Sequence, residues 1–219
     1  MKEELKIMGQ EKKSTNKTDI LKIAGKEFNS RLLVGTGKYK NIKEAEESIK
    51  ASETEIITVA LRRLSVDKKD RWHPIESYIN INDYTYLPNS SGCYTAKEAV
   101  RNLSLARELG GWNLVKLEVI GNKNNLFPDM EETLKATKEL VEKGFDVMVY
   151  STDDPIYAKK LQDSGAASVM PMAAPIGSGL GIQNKVNLKL IIDQLSIPVI
   201  VDAGIGTASD ATIAMEMGC

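Results

Sequence analysis

The chain has 219 residues, 42% hydrophobic and 27% charged, so its length and composition are those of a globular protein with one large domain or two small ones. Its formal net charge of −1 gives no sign of a surface for nucleic acid or for an anionic membrane. A single histidine makes a zinc site or a Ser-His triad hard to build. The two cysteines are far apart in sequence, and no apolar run is long enough to span a membrane, so we expect a cytoplasmic protein.

The first 20 residues differ in character from the rest of the chain. Residues 1–20 have neither the apolar core of a signal peptide nor the arginines of a transit peptide. Their composition predicts a solvated, mobile leader, and residues 21–219 are then the folded domain.

Short runs of apolar and β-branched residues recur along this domain, about one for every βα unit, and they predict strands. The seven runs are residues 31–37, 55–61, 84–89, 114–120, 146–151, 168–173 and 197–205. Helical patterns with recognisable ends lie between several of them. Thr95 and Glu98 form a predicted capping box, Pro128 and Pro155 stand near predicted helix starts, and Ser209 is the predicted cap of the last helix.

Strands that alternate with helices indicate a parallel sheet, for which two architectures compete. A doubly wound sheet would carry a glycine-rich fingerprint after its first strand, but Gly35-Thr36-Gly37 lacks the third glycine and the later ribose-binding acid. Polar residues or glycines stand at the carboxyl ends of most predicted strands, which favours a barrel. We therefore predict an α/β fold, a (β/α)₈ TIM barrel that is truncated before strand eight, and we expect these residues to come from a longer protein.

The predicted strand 114–120 has an unusual charged face. Lys116 and Glu118 lie two residues apart and therefore point the same way, while the apolar residues between and beside them face the helices. Burial disfavours a charged amine, so Lys116 could act as a neutral nucleophile that forms a Schiff base, with Glu118 moving protons. A structural ion pair whose stems reach the barrel rim is the alternative interpretation.

Two further segments end at the same predicted rim. Asp202 ends the apolar part of the last predicted strand and is followed by small residues, which leaves room for a ligand beside a second carboxylate. Gly177, Gly179 and Gly181 follow the sixth strand, and their backbone N–H groups could bind a phosphate, although glycines in a loop are more often turn formers. A lysine, two carboxylates and a glycine-rich loop at one end of a barrel predict an active site.

Six stretches give the sequence a recognisable order: GTGKY, LPNSSG, VKLEV, STDDP, VMPMAAPIGSGLGI and VIVDAGIG. In this order they resemble bacterial thiazole synthase, the thiamine-pathway enzyme, from about Leu21 to Cys219. The resemblance implies condensation of 1-deoxy-D-xylulose 5-phosphate with dehydroglycine, with sulfur from the thiocarboxylate of a ubiquitin-like sulfur-carrier protein, to give thiazole phosphate carboxylate. It also implies a homo-oligomer and a reaction without metal or organic cofactor.

The resemblance further implies roles for individual residues. Lys116 occupies the position of the lysine that forms the imine with the sugar ketone. Glu118 and Asp202 match the accompanying acid-base carboxylates, and the substrate-phosphate contacts correspond to Gly177, Ala203 and Gly204. The family continues into an eighth strand, with an Asn-Thr pair that contacts substrate, and these residues are not among the 219.

Two other functions remain open from the sequence. A Schiff-base aldolase-type barrel acting on another sugar phosphate would use the same lysine, and an inactive barrel fragment would keep only the surface that binds the sulfur carrier. His73 is interpreted as a packing or surface residue, and Arg62 and Arg63 are candidates for steering an anionic substrate.

Overall fold

The computed structural model describes residues 20–37, 39–60 and 80–219. Eight strands occur in this part of the chain: β1 (Leu21–Ile23), β2 (Lys26–Phe28), β3 (Leu33–Gly35), β4 (Ile56–Ala60), β5 (Thr85–Asn89), β6 (Leu114–Leu117), β7 (Asp146–Ser151) and β8 (Ser168–Pro171). The α-helices in the same ranges are α1 (Ile42–Ala51), α2 (Ala96–Gly110), α3 (Met130–Glu142), α4 (Pro155–Asp163), α5 (Lys185–Gln194) and α6 (Ala208–Met217). None of the helices described is long and apolar enough to cross a bilayer.

The main sheet is parallel and its strands follow one another in chain order, β3-β4-β5-β6-β7-β8. A doubly wound sheet would reverse its order at a switch point, whereas a barrel adds each strand beside the previous one. The prediction of a barrel-type α/β fold is therefore confirmed over the described residues, and six of the seven predicted strands are present.

The seventh predicted strand, residues 197–205, runs beside β8 without becoming a regular strand. Val169 donates its N–H to the Pro198 carbonyl at 3.1 Å, and Ile200 donates to the Val169 carbonyl at 3.0 Å, which forms one parallel bridge. Asp202 then donates to the Pro171 carbonyl at 3.1 Å. Because Pro171 has no N–H, it cannot return the bond that would complete the next bridge.

Side chains alternate between the two faces of the sheet. Val115, Leu117 and Val149 pack against the helices in the largest apolar cluster. Leu114 and Met148 belong to a second cluster at the amino ends of the strands, inside the curve of the sheet. Positions nearer the carboxyl ends on that inner face therefore border the space that a ligand could enter.

An antiparallel hairpin, β1 and β2, closes the amino end of this interior. Its two-residue turn places Ala24 at φ 50° and Gly25 at φ 75°, the left-handed pair that suits a tight hairpin. Leu21, Ile23 and Phe28 pack against the inner side chains of the sheet. This hairpin was not predicted from the sequence, since Ala-Gly is a weak turn signal.

Most predicted helix ends are confirmed. Thr95 caps α2 by accepting a hydrogen bond from the Glu98 N–H at 3.2 Å, and Pro155 begins α4. The predicted capping box is only half formed, because the Glu98 carboxylate accepts from the Tyr94 N–H at 2.8 Å and not from that of Thr95. The prediction that Ser209 caps the last helix is wrong. Thr207 is the cap, because Asp210 at the third helical position accepts from the Thr207 N–H at 2.9 Å while donating its own N–H to the Thr207 hydroxyl.

We predict that Ile23→Ala destabilises the domain by about 2–5 kcal/mol, because Ile23 is fully buried where the hairpin meets the sheet. Chemical denaturation measures the change. Lys22→Ala alters the neighbouring residue of β1, whose side chain is 69% exposed, and should change stability by less than about 0.5 kcal/mol. Equal effects of the two substitutions would show that the hairpin does not close the core.

Candidate active site

The site is centred on three side chains from two distant parts of the sequence. Lys116 Nζ lies 2.8 Å from Asp202 Oδ1 and 3.4 Å from Glu118 Oε1. Lys116 and Glu118 come from β6 and its continuation, and Asp202 comes from the segment that extends beside β8. The lysine and glutamate side chains are 9% exposed and the aspartate side chain is 17% exposed. All three residues were predicted from the sequence, and the fold brings them together.

The two carboxylates reverse the charge state that was expected for the lysine. Burial alone lowers the pKa of Lys116, but Asp202 and Glu118 raise it by more, so the net pKa lies above the ordinary lysine value. The interpretation of Lys116 as a lysine neutralised by burial is therefore wrong for the free protein. The pairing keeps an ammonium in the barrel, and the proton has two acceptors within 3.4 Å.

Glu118 is a carboxylate whose ionisation is disfavoured by burial. Burial raises its pKa, the Lys116 charge lowers it, and the nearby Asp202 charge raises it again, with a net rise above the ordinary value. One amine and two carboxylates cannot balance to zero charge when all three are ionised. Glu118 is consequently suited to hold a proton that the site can transfer.

An apolar cluster borders the charged group on the inner face. Tyr150, on β7, is fully buried and packs with Ile120, Met172, Ala203 and Leu126. Burial, followed by the charges of Asp202 and Glu118, raises the pKa of the Tyr150 hydroxyl. Sequence reasoning missed Tyr150, although its position two residues after the inward-facing Met148 could have identified it.

One residue of this cluster has an unusual backbone. Leu126 adopts φ 60°, a left-handed conformation that is uncommon for leucine, and its carbonyl accepts a long hydrogen bond of 3.4 Å from the Tyr150 hydroxyl. The loop is also fixed by the Leu126 N–H, which donates to the Asn122 carbonyl at 2.7 Å. The loop that follows Glu118 is thus folded over the site with its apolar side chain inward.

The two glycine-rich loops pack on each other through their backbones. An added Cβ at Gly204 would lie 2.4 Å from the Ala174 nitrogen, and one at Gly206 would lie 2.4 Å from the Gly179 carbonyl oxygen. Gly181 donates its N–H to the Gly204 carbonyl at 2.8 Å. These glycines are therefore required for close loop packing, and they join the loop after β8 to the loop after Asp202.

Gly177 differs from its neighbours because a Cβ there would meet nothing within 4 Å, although its φ is +80°. Within the described ranges, no protein group accepts a hydrogen bond from the N–H groups of Gly177, Ala203 or Gly204. Free backbone donors beside a positive-φ glycine can bind an anion. The geometry is compatible with the predicted phosphate contacts, whose role stays a prediction.

Several other predicted features fall elsewhere. Arg62, Arg63, His73 and the first 19 residues lie outside the described residues. In the part that is described, no group of three or more His, Cys, Asp or Glu side chains could hold a metal ion. A groove of about 680 Å³, lined mainly by apolar residues, lies between β3 and residues 198–202 and reaches Asp202.

Comparison with known sequences gives consistent matches over nearly the whole domain. The family described as "Thiazole biosynthesis protein ThiG" matches residues 22–219. A thiazole synthase from Neorickettsia sennetsu is 60% identical over 201 residues, which are 92% of this chain and 78% of the relative. A thiazole synthase from Maricaulis maris is 57% identical over 199 residues, which are 91% of this chain and 74% of the relative.

Comparison with solved structures agrees with the fold. The crystal structure of the Amycolatopsis orientalis BexX/CysO complex matches with a TM-score of 0.80 at 30% identity, covering 91% of this chain and 81% of that chain. The YdjI aldolase from Escherichia coli matches with a TM-score of 0.52 at 18% identity, covering 84% and 70% of the two chains. The second likeness concerns the fold alone.

We predict that the stability of the Glu118→Gln variant decreases less with rising pH than that of the wild type. The folded-state pKa of Glu118 lies above the reference value of 4.5, so the folded protein binds more protons than the unfolded chain between these two values. Wild-type stability is therefore lost as the pH rises through that window, and the glutamine removes this loss. Urea unfolding between pH 4 and pH 8 measures the effect. The midpoint of the variant, relative to that of the wild type, should increase toward pH 8.

The matched control is Glu142→Gln, which makes the same change at an exposed position on α3. Its stability should stay within about 0.5 kcal/mol of the wild type. A Glu118→Gln variant whose stability differs from that of the wild type by the same amount at every pH would contradict the raised pKa.

Proposed function

The chain belongs to the thiazole biosynthesis protein ThiG family, the thiazole synthases of thiamine biosynthesis, and on that basis we propose that Lys116 acts as its Schiff-base nucleophile. The observation that carries the proposal is the buried contact of Lys116 with Asp202 and Glu118 at 2.8 and 3.4 Å. An amine with two adjacent proton acceptors can lose its proton when a ketone arrives. The ketone is that of 1-deoxy-D-xylulose 5-phosphate.

The proposed first step forms an imine between Lys116 Nζ and the sugar ketone carbon, with loss of water. Asp202, the nearer carboxylate, accepts the ammonium proton as the nitrogen attacks. Asp202 returns this proton to the departing hydroxyl, which leaves as water, and Glu118, whose pKa is raised by burial, acts only after the imine has formed. The same two carboxylates then move protons along the sugar before dehydroglycine and sulfur enter, and the product is thiazole phosphate carboxylate.

The substrate phosphate is proposed to bind at the two joined glycine-rich loops. Gly177, Ala203 and Gly204 offer N–H groups that no described protein group uses. Ala203 and Gly204 follow Asp202 directly in the chain, so a phosphate held there would place the sugar carbons next to the carboxylate. The bound phosphate thereby orients the ketone toward Lys116.

A protein sulfur donor is part of the proposal. The related chain BexX is known in a complex with a second protein, CysO, and this supports a protein partner for the present chain. We propose that the C-terminal thiocarboxylate of a ubiquitin-like sulfur carrier reaches the same rim of the barrel. Such a tail is extended and narrow, so it can enter beside a bound sugar without displacing it.

We predict that Lys116→Arg abolishes covalent trapping of the sugar. A guanidinium stays protonated and cannot attack a ketone, whereas the wild type should gain one reduced sugar-phosphate adduct per chain after borohydride treatment. Intact-mass spectrometry makes the measurement. Lys143→Arg, at an exposed lysine past the end of α3, is the control and should trap as the wild type does. A sugar adduct on the Lys116→Arg protein would show that another amine forms the imine.

We also predict that Glu118→Gln and Asp202→Asn slow product formation by about 10²–10⁴-fold while some imine trapping persists. Each substitution removes a proton carrier but also removes a carboxylate that raises the Lys116 pKa, so the amine remains able to react. Turnover assays and borohydride trapping on the same samples separate the two effects.

Asp146→Asn serves as the control for the carboxylate changes, because Asp146 is exposed at the opposite end of β7. It should leave both turnover and trapping unchanged. Normal turnover of both active-site variants would exclude Glu118 and Asp202 as the proton carriers.

A further inference from the structure

The backbone that carries Glu118 is held in an unusual way. Strands β5 and β6 pair at a single register position, Asn89 with Lys116, and β6 ends at Leu117. Beyond that pair, the Ser90 N–H donates to the Lys116 carbonyl at 3.2 Å. Glu118 therefore lies past the last regular rung of the sheet on this side.

Beyond the last backbone pair of β5 and β6, the Ser90 side chain makes the hydrogen bonds to the Glu118 backbone. Its hydroxyl accepts a hydrogen bond from the Glu118 N–H and donates one to the Glu118 carbonyl, both at 2.8 Å. Ser90 is fully buried, so water does not compete for either group. A hydroxyl can satisfy a donor and an acceptor at once, which no apolar side chain of that size can do.

The turn that follows β5 holds the Ser90 hydroxyl in position. The Cys93 N–H donates to the Ser90 carbonyl at 3.0 Å, and the Ser91 N–H donates to Asn89 Oδ1 at 3.2 Å. Ser90 thus holds the Glu118 backbone through its side chain, while the surrounding turn fixes Ser90 itself.

We propose that Ser90 is a positioning residue of the active site, which keeps the Glu118 carboxylate at 3.4 Å from Lys116 Nζ by clamping the Glu118 backbone beyond the end of β6. This inference rests on the proposed function, because it assigns Glu118 the transfer of protons after the imine has formed. Ser90 acts through Glu118 and has no contact with the reacting atoms.

The two halves of the reaction depend on Ser90 to different degrees. Lys116 is held independently of Ser90, because it pairs with Met148 of β7 and its Nζ lies 2.8 Å from Asp202. Glu118 lacks a strand partner on β5 and relies on the Ser90 hydroxyl. Loss of that hydroxyl should therefore impair proton transfer while Lys116 can still form an imine.

The experiment compares Ser90→Ala and Ser90→Cys with the wild type in three measurements on the full chain. They are borohydride trapping of 1-deoxy-D-xylulose 5-phosphate, product formation, and hydrogen exchange of the Glu118 amide. Displacement of a reacting group by about 1 Å can cost about 10²-fold in rate. We expect product formation to fall about 10²-fold in Ser90→Ala, trapping to stay within about twofold, and the Glu118 amide to exchange faster.

Ser90→Cys keeps a weak S–H donor on a slightly larger side chain, so its rate should fall between those of the wild type and Ser90→Ala. This variant decides the question if Ser90→Ala does not fold. The matched control is Ser151→Ala. Ser151 is also fully buried at a strand end, but its hydroxyl has no hydrogen-bond partner among the described residues, so all three measurements should match the wild type.

Two results would overturn the role of Ser90 alone. One is product formation close to the wild-type rate in the folded Ser90 variant, and the other is a parallel loss of trapping and turnover, which indicates a general structural effect. A wild-type protein that traps no sugar would instead overturn the proposed function, and with it the role assigned to Glu118.

Discussion

The contact of one buried ammonium with two carboxylates is the constraint on which this site depends. Removing an ammonium from water costs several kcal/mol unless an opposite charge meets it with good geometry. Lys116 meets that condition only if Asp202, 86 residues later in the sequence, arrives within 2.8 Å. The parallel sheet achieves this, because strands added in chain order bring the carboxyl ends of β6 and of the segment beyond β8 to one rim.

The same contact leaves the site with more acid than base. Two carboxylates face one amine, and the pKa values of Glu118 and Tyr150 are raised first by burial and further by the negative charge of the neighbouring carboxylates. An arrangement selected for stability alone would pair the lysine with a single acid or replace the group by apolar side chains. In the proposed function, the extra carboxylate serves proton transfer.

The sequence predicted the elements of this protein better than it predicted their environment. Alternation within residues 114–120 was enough to place Lys116 and Glu118 on the inner face, and the position of Asp202 after a strand-like run placed it at the same rim. The charge state of Lys116 was wrongly predicted because it depends on a distance between residues 86 positions apart. Tyr150 and Ser90 were missed for a related reason, since each matters through one specific neighbour in space.

Local errors have equally specific causes. Thr207 and Ser209 are both good cap residues, and the choice was made by Asp210, which can return a hydrogen bond to Thr207. The last predicted strand is interrupted because Pro171 on its neighbour has no N–H. Both outcomes depend on single hydrogen bonds, which periodicity does not report.

The two glycine-rich loops, one after β8 and one after Asp202, are coupled through their backbones. Gly204 packs on Ala174 at a distance that only glycine allows, and Ala203 accepts the Ala173 N–H at 2.9 Å, so the loop after Asp202 cannot shift without the loop after β8. In the proposed function, a phosphate bound to these loops would order the backbone immediately beside Asp202. Asp202 in turn accepts a hydrogen bond from Lys116 Nζ. Binding of the phosphate, placement of the acid and the charge of the nucleophile are therefore properties of one connected unit, and the energy of phosphate binding can be used to set the geometry of proton transfer.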